Sequence, residues 1–235
     1  MLLSSLRIVL IAVISAVIAT LASLVGFASR SGRAFHALAR FYGRVVLAVS
    51  GVVVEVRGLE RADFSRRCVY VANHASFFDI PAVLVGIPDQ IRIVYRKSLE
   101  RIPFFGWGLK FGGTYVGLER ENSRESIEGL DEAARKIRDG ASVLLFAEGT
   151  RSADGTLQPF KRGPFRLAVR AGVPIVPVAI SGSYNVLPRN SFRIRPGTIT
   201  LTLGERIESS GGNGKGTEIA LRDRVHDIIQ NNLRQ

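Results

Sequence analysis

Between Ile8 and Ala28 the chain carries no charged residue, and this run constrains the molecule more than any other feature. As an α-helix its 21 residues extend about 31 Å, close to the hydrocarbon thickness of a bilayer. A secretory signal has a shorter apolar core of roughly 7–15 residues, so the run is expected to remain as a membrane anchor. Arg30, Arg33, Arg40 and Arg44 follow it, against Arg7 and the terminal amine before it. That excess predicts the bulk of the chain on the cytoplasmic face of the plasma (inner) membrane. Residues 31–51 then place Phe35, Leu38, Phe41, Tyr42, Val45 and Val46 at helical spacing, interrupted by arginines. Such a helix suits the headgroup region, apolar face in lipid and arginines among phosphates; packing on the globular part is the alternative. Residues 1–50 therefore read as an anchoring helix pair and 51–235 as one domain.

Beyond Gly51 the pattern alternates. Val52–Val56, Cys68–Ala72, Ile91–Tyr95, Tyr115–Leu118, Ser142–Ala147, Ile175–Ile180 and Thr198–Leu203 are short, rich in Val and Ile, and bounded by turn residues, so they read as strands. Helices are expected over Ser123–Asp139, Pro164–Ala171 and Glu218–Leu233, the first opened by an Asn122/Glu125 capping box and stopped by Gly140. Alternation of this kind predicts an α/β fold with a mostly parallel central sheet flanked by helices.

The formal charge of +12 predicts attraction to anions, which include nucleic acid, anionic headgroups and phosphorylated substrates. Aromatics interleaved with the basic residues, the mark of a nucleic-acid surface, are not evident. Cys68 is the single cysteine, which excludes an intramolecular disulfide and a thiolate zinc cluster. Its apolar surroundings predict a buried, inert thiol.

Of three histidines, His36 and His226 lie in helical patterns and are expected at the surface. His74 directly follows a strand, in Asn73-His74-Ala75-Ser76-Phe77-Phe78-Asp79, where α/β sheets gather their functional groups. Pro81 disfavours a helical Ile80 and predicts a turn through about residue 80. Such a turn can return the Asp79 carboxylate to the His74 ring, fixing its tautomer and leaving the other nitrogen to take a proton. Ser76 lacks a nucleophile-elbow context and reads as a turn hydroxyl; further ligands for a metal site are absent. A second group, Glu148-Gly149-Thr150-Arg151-Ser152, also follows a strand. Its amides and the Arg151 fork suit a phosphate, with a structural Glu148–Arg151 ion pair as the plainer alternative. Arg96, Lys97, Arg120, Lys161 and Arg162 add cations near strand and helix ends. Phe104-Phe105-Gly106-Trp107 suits core packing or contact with lipid or an acyl chain.

Together these segments resemble the glycerolipid acyltransferase family, especially its 1-acyl-sn-glycerol-3-phosphate acyltransferases. Asn73-His74…Asp79 matches that family's N-H-x4-D motif, Glu148–Ser152 its E-G-T-R-S block, and Val173-Pro174-Ile175-Val176-Pro177-Val178 its V-P-I-V-P-V block. Residues 50–205 carry the likeness, and Gly155–Ala179 shares it. One block departs: where the family shows G-x-x-F-I-D-R, this chain has Val116-Gly117-Leu118-Glu119-Arg120, so only Arg120 carries over.

The resemblance implies an O-acyltransferase. His74, oriented by Asp79, would deprotonate the free sn-2 hydroxyl of 1-acyl-sn-glycerol 3-phosphate as it attacks the thioester of acyl-CoA or acyl-carrier protein, giving phosphatidic acid. Arg151, with Lys97 and Arg120, would hold the acceptor phosphate; Gly149 and Thr150 would add amides, and Glu148 would orient these groups or the glycerol. The implied partners are a lysophospholipid acceptor, the acyl carrier and membrane lipid, with no nucleic acid. No metal or bound cofactor is implied, the carrier being a substrate. The alternatives are another acceptor (a lyso-aminolipid, another lysophospholipid or glycerol 3-phosphate), a membrane-tethered thioester or lipid hydrolase, and a non-enzymatic basic adaptor.

Overall fold

The computed structural model describes residues 2–28, 32–112, 114–119, 123–209 and 214–234, with side chains described at neither 2, 27 and 28 nor 123–127. Arg120 and Asn122 lie outside the described residues, as does the capping-box side chain of Glu125. Helices α1 (Leu2–Ala28) and α2 (Arg33–Ser50) precede strand β1 (Val52–Arg57). Then come β2 (Val69–Ala72), α3 (Asp79–Gly86), β3 (Ile91–Arg96), α4 (Phe105–Gly112), β4 (Val116–Leu118), α5 (Ser123–Arg138) and β5 (Ser142–Phe146). The chain continues through α6 (Gly163–Ala171), β6 (Ile175–Ser181), α7 (Ser183–Val186), β7 (Gly197–Leu203) and α8 (Lys215–Leu233).

The strands form one sheet in the order β1-β7-β6-β2-β5-β3-β4. All neighbours are parallel except β6 and β7, so β1 and β7 run against the other five. Central β2 is buried on both faces, as a parallel strand covered by helices must be. Its alternation sends Tyr70 and Ala72 into a core with Val46 and Leu47 of α2 and Val83 of α3. Val69 and Val71 enter a second core with Ala133 of α5, Phe165 of α6 and Val225 of α8. Each Val, Leu or Phe among them contributes roughly 1.5–3 kcal/mol on leaving water.

Two expectations change here. α2 turns Phe35, Val46 and Leu47 inward, and only Phe41 of its large apolar residues is strongly exposed, at 54%. Arg40 does not reach outward for phosphates; its guanidinium donates to the Val85 and Ile87 carbonyls at the end of α3, where a helix leaves acceptors unpaired. His36, expected at the surface, is 1% exposed, because the same inward face carries it. His226 is half-buried, edge-on to Phe160 at 4.9 Å.

α1 is the one described helix long and apolar enough to cross a membrane. It lies along the domain rather than projecting from it. Ser4 Oγ donates to Ile194 O at 3.2 Å, and Ser15 shares a hydrogen bond of 2.7 Å with the Tyr42 hydroxyl. Near its far end Gly26 faces the backbone of Gly112, where a Cβ would come within 2.6 Å of the Gly112 Cα; a larger residue would push α1 off α4. The opposite side of α1 is bare: Leu3, Leu6, Leu10, Val13, Val17, Leu21 and Leu24 are each more than 40% exposed.

Candidate active site

The carboxyl ends of β2 and β5 lie side by side, with Ala72 paired to Phe146, and each strand delivers one functional segment. Past Ala72, Asn73 extends the ladder with its side chain. Its amide donates to Ile180 O at 2.9 Å and accepts from Ile180 N at 2.8 Å, locking the strand end to β6. His74 is thereby held at the carboxyl end of the sheet, its ring stacked on Phe146 at 4.0 Å between centroids.

The next five residues close a small loop onto one oxygen. Asp79 Oδ2 lies 2.7 Å from His74 Nδ1 and accepts the amides of Ala75 (2.8 Å) and Ser76 (2.9 Å). Asp79 is fully buried. The predicted turn is shorter than expected, because α3 begins at Asp79 and Ile80 is helical. Pro81 fits there because first-turn amides need no helical partner. Ser76 serves the turn as its sequence context implied: its hydroxyl donates to Leu187 O and accepts the Phe78 amide. An acceptor on Nδ1 makes it the protonated nitrogen and leaves Nε2 as the basic site.

From β5, Glu148 is 4% exposed and takes the His74 amide on Oε1 at 2.9 Å, while Oε2 is buried without a partner among the described residues. Burial pushes its carboxyl up to about 7; the His74 amide opposes this and the Asp79 charge adds to it. Ser152 N donates to His74 O at 2.7 Å, so both ends of Glu148–Ser152 are tied to His74. Gly149 has φ 77°, a left-handed conformation that glycine adopts freely, and the Lys161 side chain lies across it. Thr150 is exposed.

Arg151 does not pair with Glu148. Its guanidinium sits 3.6 Å above the Phe77 ring, and Arg151 and Arg189 each donate to the other's backbone carbonyl, at 3.4 and 3.0 Å. Among the described residues, the cations tied to these two segments include Arg151, Arg189 and, across Gly149, Lys161. Arg189 carried no signal in the sequence, since it arrives from a loop 38 residues away. Lys97 is exposed and opens a 3₁₀ turn after β3, two strands from β2. Arg120 lies outside the described residues.

Beside the pair is a cavity of about 120 Å³ between α1, α2, α3, α4 and β3. Ala19, Ala22, Ala39, Ile80 and Leu84 are among its walls, and Ile80 directly follows Asp79. Its lining is almost wholly apolar. Phe104 and Trp107, 5.0 Å apart, are about half exposed near it. Cys68 is buried and its thiol is pushed up to about 12 by that burial.

Comparison with known proteins places this geometry. The family model described as Acyltransferase matches residues 53–181. A 1-acyl-sn-glycerol-3-phosphate acyltransferase of Haemophilus influenzae is 32% identical over 197 residues, covering 83% of this chain and 80% of that protein. The chloroplastic BAT2 enzyme of the same name from Brassica napus is 38% identical over 138 residues, 58% of this chain. The match covers 40% of the Brassica protein, so the chain spans less than half of that relative's length. The crystal structure of the 1-acyl-sn-glycerophosphate (LPA) acyltransferase PlsC from Thermotoga maritima superposes with a TM-score of 0.80 and 26% identity, covering 99% of this chain and 94% of that one.

Proposed function

The chain belongs to the Acyltransferase family, and on that premise we propose that it acylates the sn-2 hydroxyl of 1-acyl-sn-glycerol 3-phosphate. The donor is acyl-CoA or acyl-carrier protein and the product phosphatidic acid. The observation that carries this reading is the 2.7 Å His74–Asp79 pair at the carboxyl end of β2, with Arg151 stacked on Phe77 of the same loop and an apolar cavity walled by the next residue, Ile80.

An alcohol is a poor nucleophile near neutral pH, so the reaction depends on a base. His74 Nε2 takes the hydroxyl proton as that oxygen attacks the thioester carbonyl. The tetrahedral intermediate collapses, the C–S bond breaks, and the imidazolium returns the proton to the departing thiolate. Asp79 stabilises the transient imidazolium and holds the ring in register. Arg151 binds the acceptor phosphate as a fork, flattened on Phe77 and supported by Arg189. Lys97 and Arg120 are carried over from the family resemblance as further cations for that anion, and amides around Gly149 and Thr150 supplement it. Glu148 acts through His74, whose backbone amide it holds on Oε1. The cavity accepts an acyl chain, for which its apolar walls suit nothing polar. α1 anchors the enzyme at the membrane that holds its lipid substrates, with its bare stripe toward lipid and the domain on the cytoplasmic face of the plasma membrane.

The test is transfer of labelled acyl groups from each donor to lysophosphatidate, in membranes carrying wild type or His74→Ala. Phosphatidate from wild type alone supports the whole reading. Transfer only to other lysolipids or glycerol 3-phosphate moves the acceptor, and release of free fatty acid alone replaces the transferase by a hydrolase. Activity that survives in the variant removes His74 as the base.

A further inference from the structure

The segment of residues 187–196 joining α7 to β7 is tied down at both ends and open between them. At its start Leu187 O accepts the Ser76 hydroxyl, and Arg189 is bonded to Arg151. At its end Ile194 is buried, its carbonyl accepts from Ser4 of α1, and Arg195 N donates to Val186 O. Between these ties Phe192 is 84% exposed, the most exposed large apolar side chain described. Arg189, Arg193 and Arg195 flank it in sequence and are exposed, and the segment contains no acidic residue. An aromatic side chain held out among cations is a poor surface for water and a good one for the boundary between lipid headgroups and acyl chains.

We propose that residues 187–196 form a second membrane contact, in which Phe192 enters the headgroup boundary of an anionic bilayer and Arg193 and Arg195 bind lipid phosphates. The inference rests on the reading of α1 as the membrane anchor. Continuity decides for lipid over an acidic protein. The bare stripe of α1 starts at Leu3, and Ser4 beside it is bonded to Ile194, so a bilayer that covers the stripe reaches the loop. The same loop braces Arg151 through Arg189, so the contact holds the anion site at the surface from which an anionic lipid acceptor would enter.

The single native cysteine is buried, so a cysteine placed elsewhere takes a label alone. Full-length Phe192→Cys, Val13→Cys and Asp223→Cys proteins carrying an environment-sensitive fluorophore are compared in two kinds of vesicle. One is phosphatidylcholine alone, and the other equal parts phosphatidylcholine and phosphatidylglycerol. The expected result is blue-shifted emission quenched by doxyl-labelled lipid at 13 in both vesicles, at 192 most strongly with phosphatidylglycerol, and at 223 in neither. Adding Arg193→Ser with Arg195→Ser should remove the phosphatidylglycerol dependence at 192. A label at 192 that stays aqueous while 13 is in lipid overturns the inference and leaves the anchor standing. Aqueous labels at both positions in folded protein sink the anchor reading itself, and this inference with it. A label at 192 aqueous on vesicles but shifted by added acyl-carrier protein assigns the loop to an acidic protein and also overturns it.

Discussion

His74 Nδ1 and Asp79 Oδ2 lie 2.7 Å apart, and that same oxygen receives the amides of Ala75 and Ser76. The carboxylate therefore shapes the loop and orients the ring with one atom. Asp79→Asn offers one acceptor oxygen but no charge to stabilise an imidazolium. Its kcat is expected to fall by about 10²–10⁴-fold, as for loss of a working base, with the KM for lysolipid little changed. Steady-state kinetics on folded variant check this; a kcat within a few-fold of wild type would separate Asp79 from the proton transfer.

Arg151 combines a fork of donors with a fixed plane over Phe77. Arg151→Ala removes charge-assisted bonds to a phosphate worth about 1.5–3 kcal/mol, so the KM for a phosphate-bearing acceptor should rise roughly 10- to 100-fold. Phe77→Ala removes only the stacking, worth about 0.5–1 kcal/mol at an exposed site, and should raise KM a few-fold. Neither variant should affect an acceptor lacking phosphate. Equal losses on both acceptors would assign Arg151 a structural role.

Asn73→Ala would leave the Ile180 amide and carbonyl, both buried, without the partners they have at 2.8 and 2.9 Å. Each unsatisfied group costs about 1–3 kcal/mol, and for a chain of this size Tm moves by roughly 2–4 °C per kcal/mol. A drop of several degrees is expected in thermal unfolding followed by circular dichroism. An unchanged Tm would show that β2 and β6 do not need this side-chain bridge.

Much of this was legible because it is local. Each strand was bounded within a residue by its Val and Ile run, and His74 meets Asp79 through a five-residue loop. What was missed is non-local. The reversed direction of β1 and β7 leaves no mark in composition, since it depends on how loops cross the sheet. The arginines of residues 31–51 looked like headgroup ligands, yet Arg40 caps carbonyls of α3 more than 40 residues away. His36 followed it inward on the same helix. Arg189 belongs beside Arg151 only because the loop before β7 folds back across Ser76.

Glu148 makes stability depend on pH in a defined direction. Its carboxyl is raised from 4.5 to about 7 in the folded protein, so between those values the native state binds more protons than the unfolded chain. Its contribution is fully present below 4.5, is lost as pH rises through about 7, and stays lost above that. Glu148→Gln keeps an acceptor for the His74 amide and cannot ionise. The variant should show a flatter fall of Tm across this window and a Tm several degrees above wild type at more alkaline pH. Parallel Tm profiles would mean that the buried carboxylate is matched by a partner.

The cavity between the N-terminal helices and α3 predicts how the donor chain is measured. Ala39 lines it from α2, and Ala39→Leu adds three carbons to about 120 Å³ of apolar space. Each methylene of a bound chain is worth about 0.8 kcal/mol on burial. Displacing two of them should lower kcat/KM for the preferred donor roughly tenfold while sparing shorter donors. Competition between long and short acyl donors, with wild type and variant in the same membranes, reads this directly. A uniform loss across chain lengths would mean that Ala39→Leu damages packing, and an unchanged preference would place the acyl chain elsewhere.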